Sequence, residues 1–150
     1  MKKAILLLAI MTFGMIVSAQ WKTEVINNKY GNPTAQRNVY IDAEGQFTNS
    51  NDQGKCDFRL AYNSEKVYIR ILEHGSSRAS FVKGKGVSVT IKLTTPTGEK
   101  RRFQAHIREG SMFIRTKSRQ DFLKTISKPG NYKFEFTDGG YQQYYFELDL

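Results

Sequence analysis

Short runs in which apolar and polar side chains alternate constrain this chain more than any other feature. The clearest run covers residues 87–93, where every second residue is a large aliphatic: Val87, Val89, Ile91 and Leu93. Successive side chains of a β-strand point to opposite faces, so this period of two predicts a strand with one buried face. Similar runs recur along the chain, and segments rich in Gly, Pro and Asn separate them.

Neighbouring runs are joined by segments that are too short for parallel pairing, which needs a crossover of a dozen or more residues. Three hairpins are therefore predicted: 58–62 with 67–71, 87–93 with 100–107, and 132–136 with 144–150. The Asp-Gly pair in the last connection is typical of a tight hairpin turn. Further strands are expected at 21–26, 39–47 and 112–114. Together they predict an all-β fold, an antiparallel β-sandwich of about eight to ten strands.

One short helix is predicted near residues 118–127. Ser118 with Asp121 three residues later is a variant of the capping box that begins many helices. Phe122 and Ile126 then fall on one helical face, and a Pro-Gly pair follows. A helix of this length is unstable alone, so we expect it to pack across one opening of the sandwich.

The N-terminal residues have the three parts of a secretory signal peptide. Lys2 and Lys3 precede an apolar stretch, Ala4–Val17, and small residues end the pattern at Ala19. The apolar stretch is shorter than the roughly 20 residues that a transmembrane helix needs. The sequence therefore predicts a signal peptide at 1–19, cleavage near Ala19–Gln20, and one domain at 20–150. We expect a bacterial protein that is periplasmic or extracellular and has no transmembrane anchor.

Cys56 is the only cysteine, so an internal disulfide is excluded. Cysteine is commonly buried, and we expect Cys56 to act as a small apolar residue at a strand edge. A reactive thiol, or a thiol that pairs with another chain, is the alternative.

The sequence contains no recognisable catalytic or metal-binding motif. The two histidines, His74 and His106, lie apart, and no metal-ligand spacing surrounds them. We therefore expect no metal, no cofactor and no enzymatic activity. The acids Asp42 and Glu44 are interpreted as solvated groups at a turn. Catalytic triads assemble from distant residues, so a secreted hydrolase or inhibitor-like domain with a pocket around either histidine stays an alternative.

The outward positions of the predicted strands are rich in basic side chains. The candidate ligand-binding residues are Arg59, Tyr68, Arg70, Lys92, Arg102 and His106. Guanidinium groups match carboxylates and phosphates, so this face predicts an anionic partner. Export argues against nucleic acid and favours an anionic glycan or an acidic protein of the cell envelope. Two alternatives are a solvated face that only confers solubility and a structural subunit that docks by edge-strand pairing.

The stretch from Cys56 to Leu150 resembles a family. It runs C-x-F-R-L-x-Y, V-Y-I-R-I, V-S-V-T-I-K-L and G-S-M-F-I, then a D-F-L helix, Y-K-F-E-F and Y-F-E-L-D-L. This order is similar to small periplasmic β-sandwich proteins of the TagO type, which are linked to type VI secretion, and to invasion-associated locus B proteins. The resemblance implies a β-sandwich fold, an envelope compartment and an accessory role. It implies no catalytic residues.

Overall fold

The computed structural model describes residues 21–48, 53–74, 87–108, 111–137 and 143–150, without the side chains of 72–74. These residues form nine strands and one helix. Their bounds are β1 (Lys22–Asn27), β2 (Pro33–Thr48), β3 (Gln53–Tyr62), β4 (Val67–His74), β5 (Ser88–Thr94), β6 (Lys100–Arg108), β7 (Ser111–Ile114), α1 (Thr116–Thr125), β8 (Asn131–Thr137) and β9 (Gln143–Asp149). The predicted signal peptide lies outside the described residues.

The strands form a single antiparallel sheet that closes into an eight-stranded barrel. The order around it is β2-β3-β4-β7-β6-β5-β8-β9, and β9 returns to pair with β2. The predicted β-sandwich is therefore wrong, because one continuous sheet surrounds the core instead of two facing sheets. The antiparallel pairing and all three predicted hairpins are confirmed.

Strand β2 carries both the closure of the barrel and an extension beyond it. Its C-terminal part, Gly45–Thr48, pairs with β9, and its N-terminal part, Pro33–Tyr40, pairs with β1. Pairing with β3 begins only at Val39. The sequence predicted a turn around Asp42, but the strand continues through this position because β3 pairs with it on one side.

Gly45 is where β2 passes from β1 to β9. A Cβ atom at this position would overlap the Phe58 ring and the carbonyl oxygen of Tyr145. Glycine inside a strand commonly marks such a close approach. The closure of the barrel therefore depends on the missing side chain.

Aromatic side chains fill the barrel interior. Phe146 stacks on Phe58 at 4.4 Å between ring centroids and on Phe134 at 4.5 Å. Phe136 and Tyr144 stack at 4.9 Å. An eight-stranded barrel is just wide enough for side chains to fill it. Each buried ring contributes about 1.5–3 kcal/mol through removal from water.

Helix α1 lies over one end of the barrel. Phe122 is fully buried and contacts the rings of Phe103 and Phe134, with centroids 5.0 and 6.4 Å away. The predicted helix is confirmed, but its predicted Ser118 cap is wrong. The helix begins at Thr116, and Arg115 at the N-cap position makes no side-chain capping bond.

Cys56 is buried, with 2% of its surface exposed, as the sequence predicted. Its predicted place at a strand edge is wrong, because it lies inside β3 and is paired with Gly45 on one side and His74 on the other. Burial, followed by the neighbouring Asp57 carboxylate, raises the pKa of the thiol from 9.0 to about 12. The thiolate is the reactive form of cysteine, so the folded protein holds Cys56 in its inert form.

Candidate functional site

The strand register brings four of the six predicted site residues together on the outer surface of the barrel. Arg59 is opposite Arg70, and Arg70 is opposite Ser111 on β7. One step along the strands, Tyr68 is opposite Phe113, which is opposite His106 on β6. Directly opposite side chains lie about 4.5–5.5 Å apart. A cationic row on β3 and β4 therefore runs beside an aromatic row on β4, β7 and β6.

Arg59 is neutralised by acids from neighbouring strands. Its Nε and Nη2 atoms donate to the two carboxylate oxygens of Asp42 at 2.7 and 3.1 Å. Its Nη1 atom lies 3.5 Å from Glu24 on β1, and its guanidinium lies 4.0 Å from the centre of the Tyr40 ring. The hydrogen bond that Arg59 donates to Asp42 is the main cause that raises the pKa of Arg59. This arginine therefore holds β1, β2 and β3 together and has little capacity left for a ligand.

Tyr68 points away from the barrel interior, yet only 5% of its surface is exposed. Its ring centre lies 5.5 Å from that of Phe113, 5.9 Å from the Lys66 ammonium and 5.7 Å from the Arg70 guanidinium. Its hydroxyl accepts a hydrogen bond from Asn38 at 3.3 Å. Burial is the main cause that raises the pKa of this phenol. Tyr68 therefore supports the neighbouring cations, and a ligand on the surface would contact those cations and not the buried tyrosine ring.

Arg70 and Lys66 make contacts that leave their charge uncompensated by any described carboxylate. Arg70 is exposed and donates through Nε to the Ser111 hydroxyl at 3.0 Å. The Lys66 ammonium lies 5.9 Å from the Tyr68 ring centre and 5.7 Å from that of Phe113. Cations within about 6 Å of an aromatic face are attracted by its quadrupole, which holds the ammonium in place without neutralising it.

A groove of about 290 Å³ lies beside these rows, between β6, β7 and the start of α1. Its lining residues are Glu65, Lys66, His106, Arg108, Phe113, Ile114, Thr116 and Arg119. The imidazole of His106 stacks on the Phe113 ring at 5.7 Å. The single acid of the lining, Glu65, accepts a hydrogen bond from Gln36 at 2.9 Å. We call the set Lys66, Arg70, His106, Arg108, Phe113 and Arg119 the basic face.

The other two predicted residues, Lys92 and Arg102, lie elsewhere on the barrel. They are directly opposite each other on β5 and β6. Arg102 is four residues from His106, which is about 14 Å along a strand. A smaller groove of about 220 Å³ contains both, together with Lys100 and the acid Glu135. The predicted set therefore divides into two basic patches.

Sequence reasoning missed Lys66, Phe113 and Arg119. Lys66 belongs to the turn between β3 and β4, where strand alternation gives no orientation. Arg119 lies on α1, which reaches the groove only because β7 leads directly into the helix. The Met-Phe-Ile run around Phe113 predicts a strand, but only the closed barrel shows that this strand pairs with both β4 and β6.

The geometry gives the hydrolase alternative little support. His106 is exposed and stacks on Phe113, and it makes no hydrogen bond to a carboxylate of the described residues. The side chain of His74 lies outside the described residues. Within the described ranges, no three His, Cys, Asp or Glu side chains cluster closely enough to hold a metal ion.

Comparisons with known proteins identify no relative of this chain. No protein-family model, no curated protein and no solved structure matches this chain. Among the residues that the structure describes, no helix has the length and apolar character needed to cross a bilayer.

Proposed function

We propose that this chain is an exported, non-enzymatic binding domain whose basic face holds an anionic glycan of the cell envelope. One contrast carries the proposal. Arg59 and Arg70 are opposite each other on adjacent strands, yet Arg59 has two carboxylate neighbours and Arg70 has none among the described residues. The fold therefore neutralises the charge of Arg59 and leaves the charge of Arg70 without a carboxylate partner among the described residues.

Electrostatics favours an anionic ligand on this side. Lys66 and Arg119 line one groove together with a single acid, Glu65, and Arg70 lies on the strand next to it. The like charges of these three cations repel each other, and an anion bound between them relieves the repulsion. Guanidinium groups also bind carboxylate, phosphate and sulfate oxygens through paired hydrogen bonds.

The aromatic part of the groove favours a glycan over an acidic protein. The partly exposed Phe113 ring lies beside the exposed His106 imidazole, and its centre is 5.7 Å from the Lys66 ammonium, so apolar and cationic groups are neighbours in this groove. A sugar ring presents flat C–H faces beside its acidic substituents, so it uses both parts of such a surface. An extended acidic peptide needs only the charges.

Retention on immobilised heparin tests the anionic part of this proposal. The triple variant Lys66→Gln, Arg70→Gln, Arg119→Gln should elute at a clearly lower salt concentration than the wild type. It makes fewer charge contacts with heparin, and less salt is needed to screen the contacts that remain. The matched control is Lys29→Gln, Lys55→Gln, Lys133→Gln, which removes the same charge from exposed positions elsewhere. Equal shifts for the two triples would show that only net charge matters and would refute a specific basic face.

Binding of two soluble polyanions separates glycan from protein. Calorimetry with a sulfated or uronate-containing oligosaccharide and with poly-glutamate should show a preference for the oligosaccharide. Phe113→Leu should weaken oligosaccharide binding several-fold and leave poly-glutamate binding unchanged. Equal affinities, with no effect of Phe113→Leu, would favour an acidic protein partner instead.

Export is tested separately. Full-length chain expressed in a bacterial host should be recovered from the periplasm or medium, and N-terminal sequencing should begin at Gln20. Recovery of an intact Met1 terminus would contradict the signal peptide.

A further inference from the structure

Strands β1 and β2 form an arm that extends beyond the barrel. In the described residues, β1 pairs with β2 alone, and residues 33–38 of β2 pair with β1 alone. Asn28 closes the tip by accepting hydrogen bonds at its side-chain oxygen from the backbone of Tyr30 and Asn32. On the arm, Val25 and Tyr30 are 44% and 75% exposed.

The outer edge of β1 has no partner strand among the described residues. Unpaired N–H and C=O groups along such an edge are a template for another strand, and natural proteins usually cover or blunt them. The pairing of β1 with β2 is regular from Lys22 to Val25 and becomes irregular before Asn27. Four residues, Lys22 to Val25, therefore offer a regular open edge.

We propose that two copies of this chain pair their β1 strands antiparallel about a two-fold axis at Thr23. This inference rests on the arm alone and does not depend on the proposed glycan site. In this register Lys22 of each copy is opposite Glu24 of the second copy, and Val25 is opposite Trp21 of the second copy. Thr23 is opposite itself.

The register follows from charge and from the faces of the strand. A two-fold axis perpendicular to the sheet leaves every side chain on its own face, and opposite residues of paired strands must share a face. The axis must therefore pass between the two copies of one residue. An axis at Lys22 opposes two lysines, and an axis at Glu24 opposes two glutamates, which is destabilising. Only the axis at Thr23 gives two Lys–Glu pairs within the regular part of the edge.

The side chains are available for these pairs. The Lys22 side chain is 60% exposed and lies 4.0 Å from Asp42, at the limit of an ion pair. The Glu24 side chain is 39% exposed, although its carboxylate also contacts Arg59 and Asn38. On the opposite face, Trp21 packs on Tyr62 and would cover Val25, and pairs of aromatic and β-branched residues stabilise sheets.

Disulfide trapping tests the register. Protein purified after expression of the full-length chain with Thr23→Cys should form a covalent dimer under mild oxidation at least tenfold faster than Asn27→Cys. Asn27 is exposed on the same strand but lies off the axis. The native Cys56 is buried and does not compete. Equal rates for the two variants would overturn the proposal.

Size-exclusion chromatography with light scattering tests whether two copies of the chain associate. The wild type should show a dimer fraction that grows with concentration. Lys22→Glu, which opposes two acids, should lower it, whereas Lys29→Glu at the arm tip should not. A wild type that is monomeric at every concentration would overturn the pairing of copies and leave the edge to a strand of another protein.

Discussion

Gly45 of β2 is opposite Phe146 of β9, and this pair begins the contact that closes the barrel. The Phe146 ring also stacks on Phe58 of the adjacent strand β3. The missing side chain at Gly45 lets the three strands meet, because any Cβ would overlap the Phe58 ring and the Tyr145 carbonyl. Closure and core packing are therefore coupled at one residue.

Gly45→Ala should destabilise the protein by about 1–3 kcal/mol, the usual cost of an added methyl group in a packed interior. Urea unfolding followed by tryptophan fluorescence or circular dichroism measures this. Gln46→Ala changes an exposed neighbour on the same strand and should alter the free energy of unfolding by less than about 0.5 kcal/mol. Equal effects of the two substitutions would contradict the close approach at Gly45.

The local parts of this fold could be predicted from sequence, and the closure could not. Alternation and turn residues identified the hairpins β3–β4, β5–β6 and β8–β9, since adjacent strands decide these pairings. A sandwich and a barrel share the same alternation, because each has one buried face per strand. The difference lies in the pairings β2–β9 and β4–β7, which join strands far apart in the chain.

The same limit applies to the candidate site. Strand parity predicted that Arg59 and Arg70 lie on one outer face, and the structure puts them opposite each other. Parity could not show that Asp42 and Glu24 neutralise Arg59, because the register of β1, β2 and β3 decides those contacts. Nor could it show that neighbouring side chains bury Tyr68.

The two arginines should therefore respond differently to substitution. Arg59→Gln leaves two acids without their partner and should destabilise the protein by about 1.5–3 kcal/mol, the range for hydrogen bonds to charged groups. Its effect on heparin retention should be small. Arg70→Gln should leave the free energy of unfolding within about 0.5 kcal/mol of the wild type and lower the eluting salt concentration.

Chemical unfolding and heparin chromatography of the same two preparations check this contrast. Retention is compared only under conditions in which both variants are fully folded by circular dichroism. A loss of retention in Arg59→Gln as large as that in Arg70→Gln would mean that Arg59 contacts heparin in spite of its ion pairs with Asp42 and Glu24.

The start of α1 offers a stabilising substitution. Arg115 occupies the N-cap position with φ −57° and ψ 137°, which suits a capping residue, but it makes no capping bond, and the first turn contains no acid. Arg115→Asp should stabilise the protein by about 0.5–1 kcal/mol through a cap and a favourable interaction with the helix dipole. Arg115→Ala, which loses the same contact with Ser88 and supplies no cap, is the control in thermal unfolding. Equal melting temperatures for the two variants would refute the cap.

The buried thiol of Cys56 should make stability depend on pH in the alkaline range. Its pKa is about 12 in the folded protein, whereas an ordinary cysteine thiol, as in the unfolded chain, has a pKa of 9.0. Above pH 9 the unfolded chain therefore loses a proton that the folded chain keeps. Ionisation then favours unfolding, and stability should fall with pH by up to about 1.4 kcal/mol per unit between 9 and 12. Below pH 9 this contribution is constant.

Urea unfolding of the wild type and Cys56→Ala at pH 7.5 and 10.5 isolates this effect. At pH 7.5 the variant should be the less stable protein, because it loses a buried sulfur atom. At pH 10.5 the difference should shrink, since only the wild type has the thiol, whereas tyrosines with raised pKa values, such as Tyr68 and Tyr132, are common to both proteins. A difference that stays the same at both pH values would mean that Cys56 ionises as readily in the folded protein as in the unfolded chain, and its burial would then be much less complete than the barrel indicates.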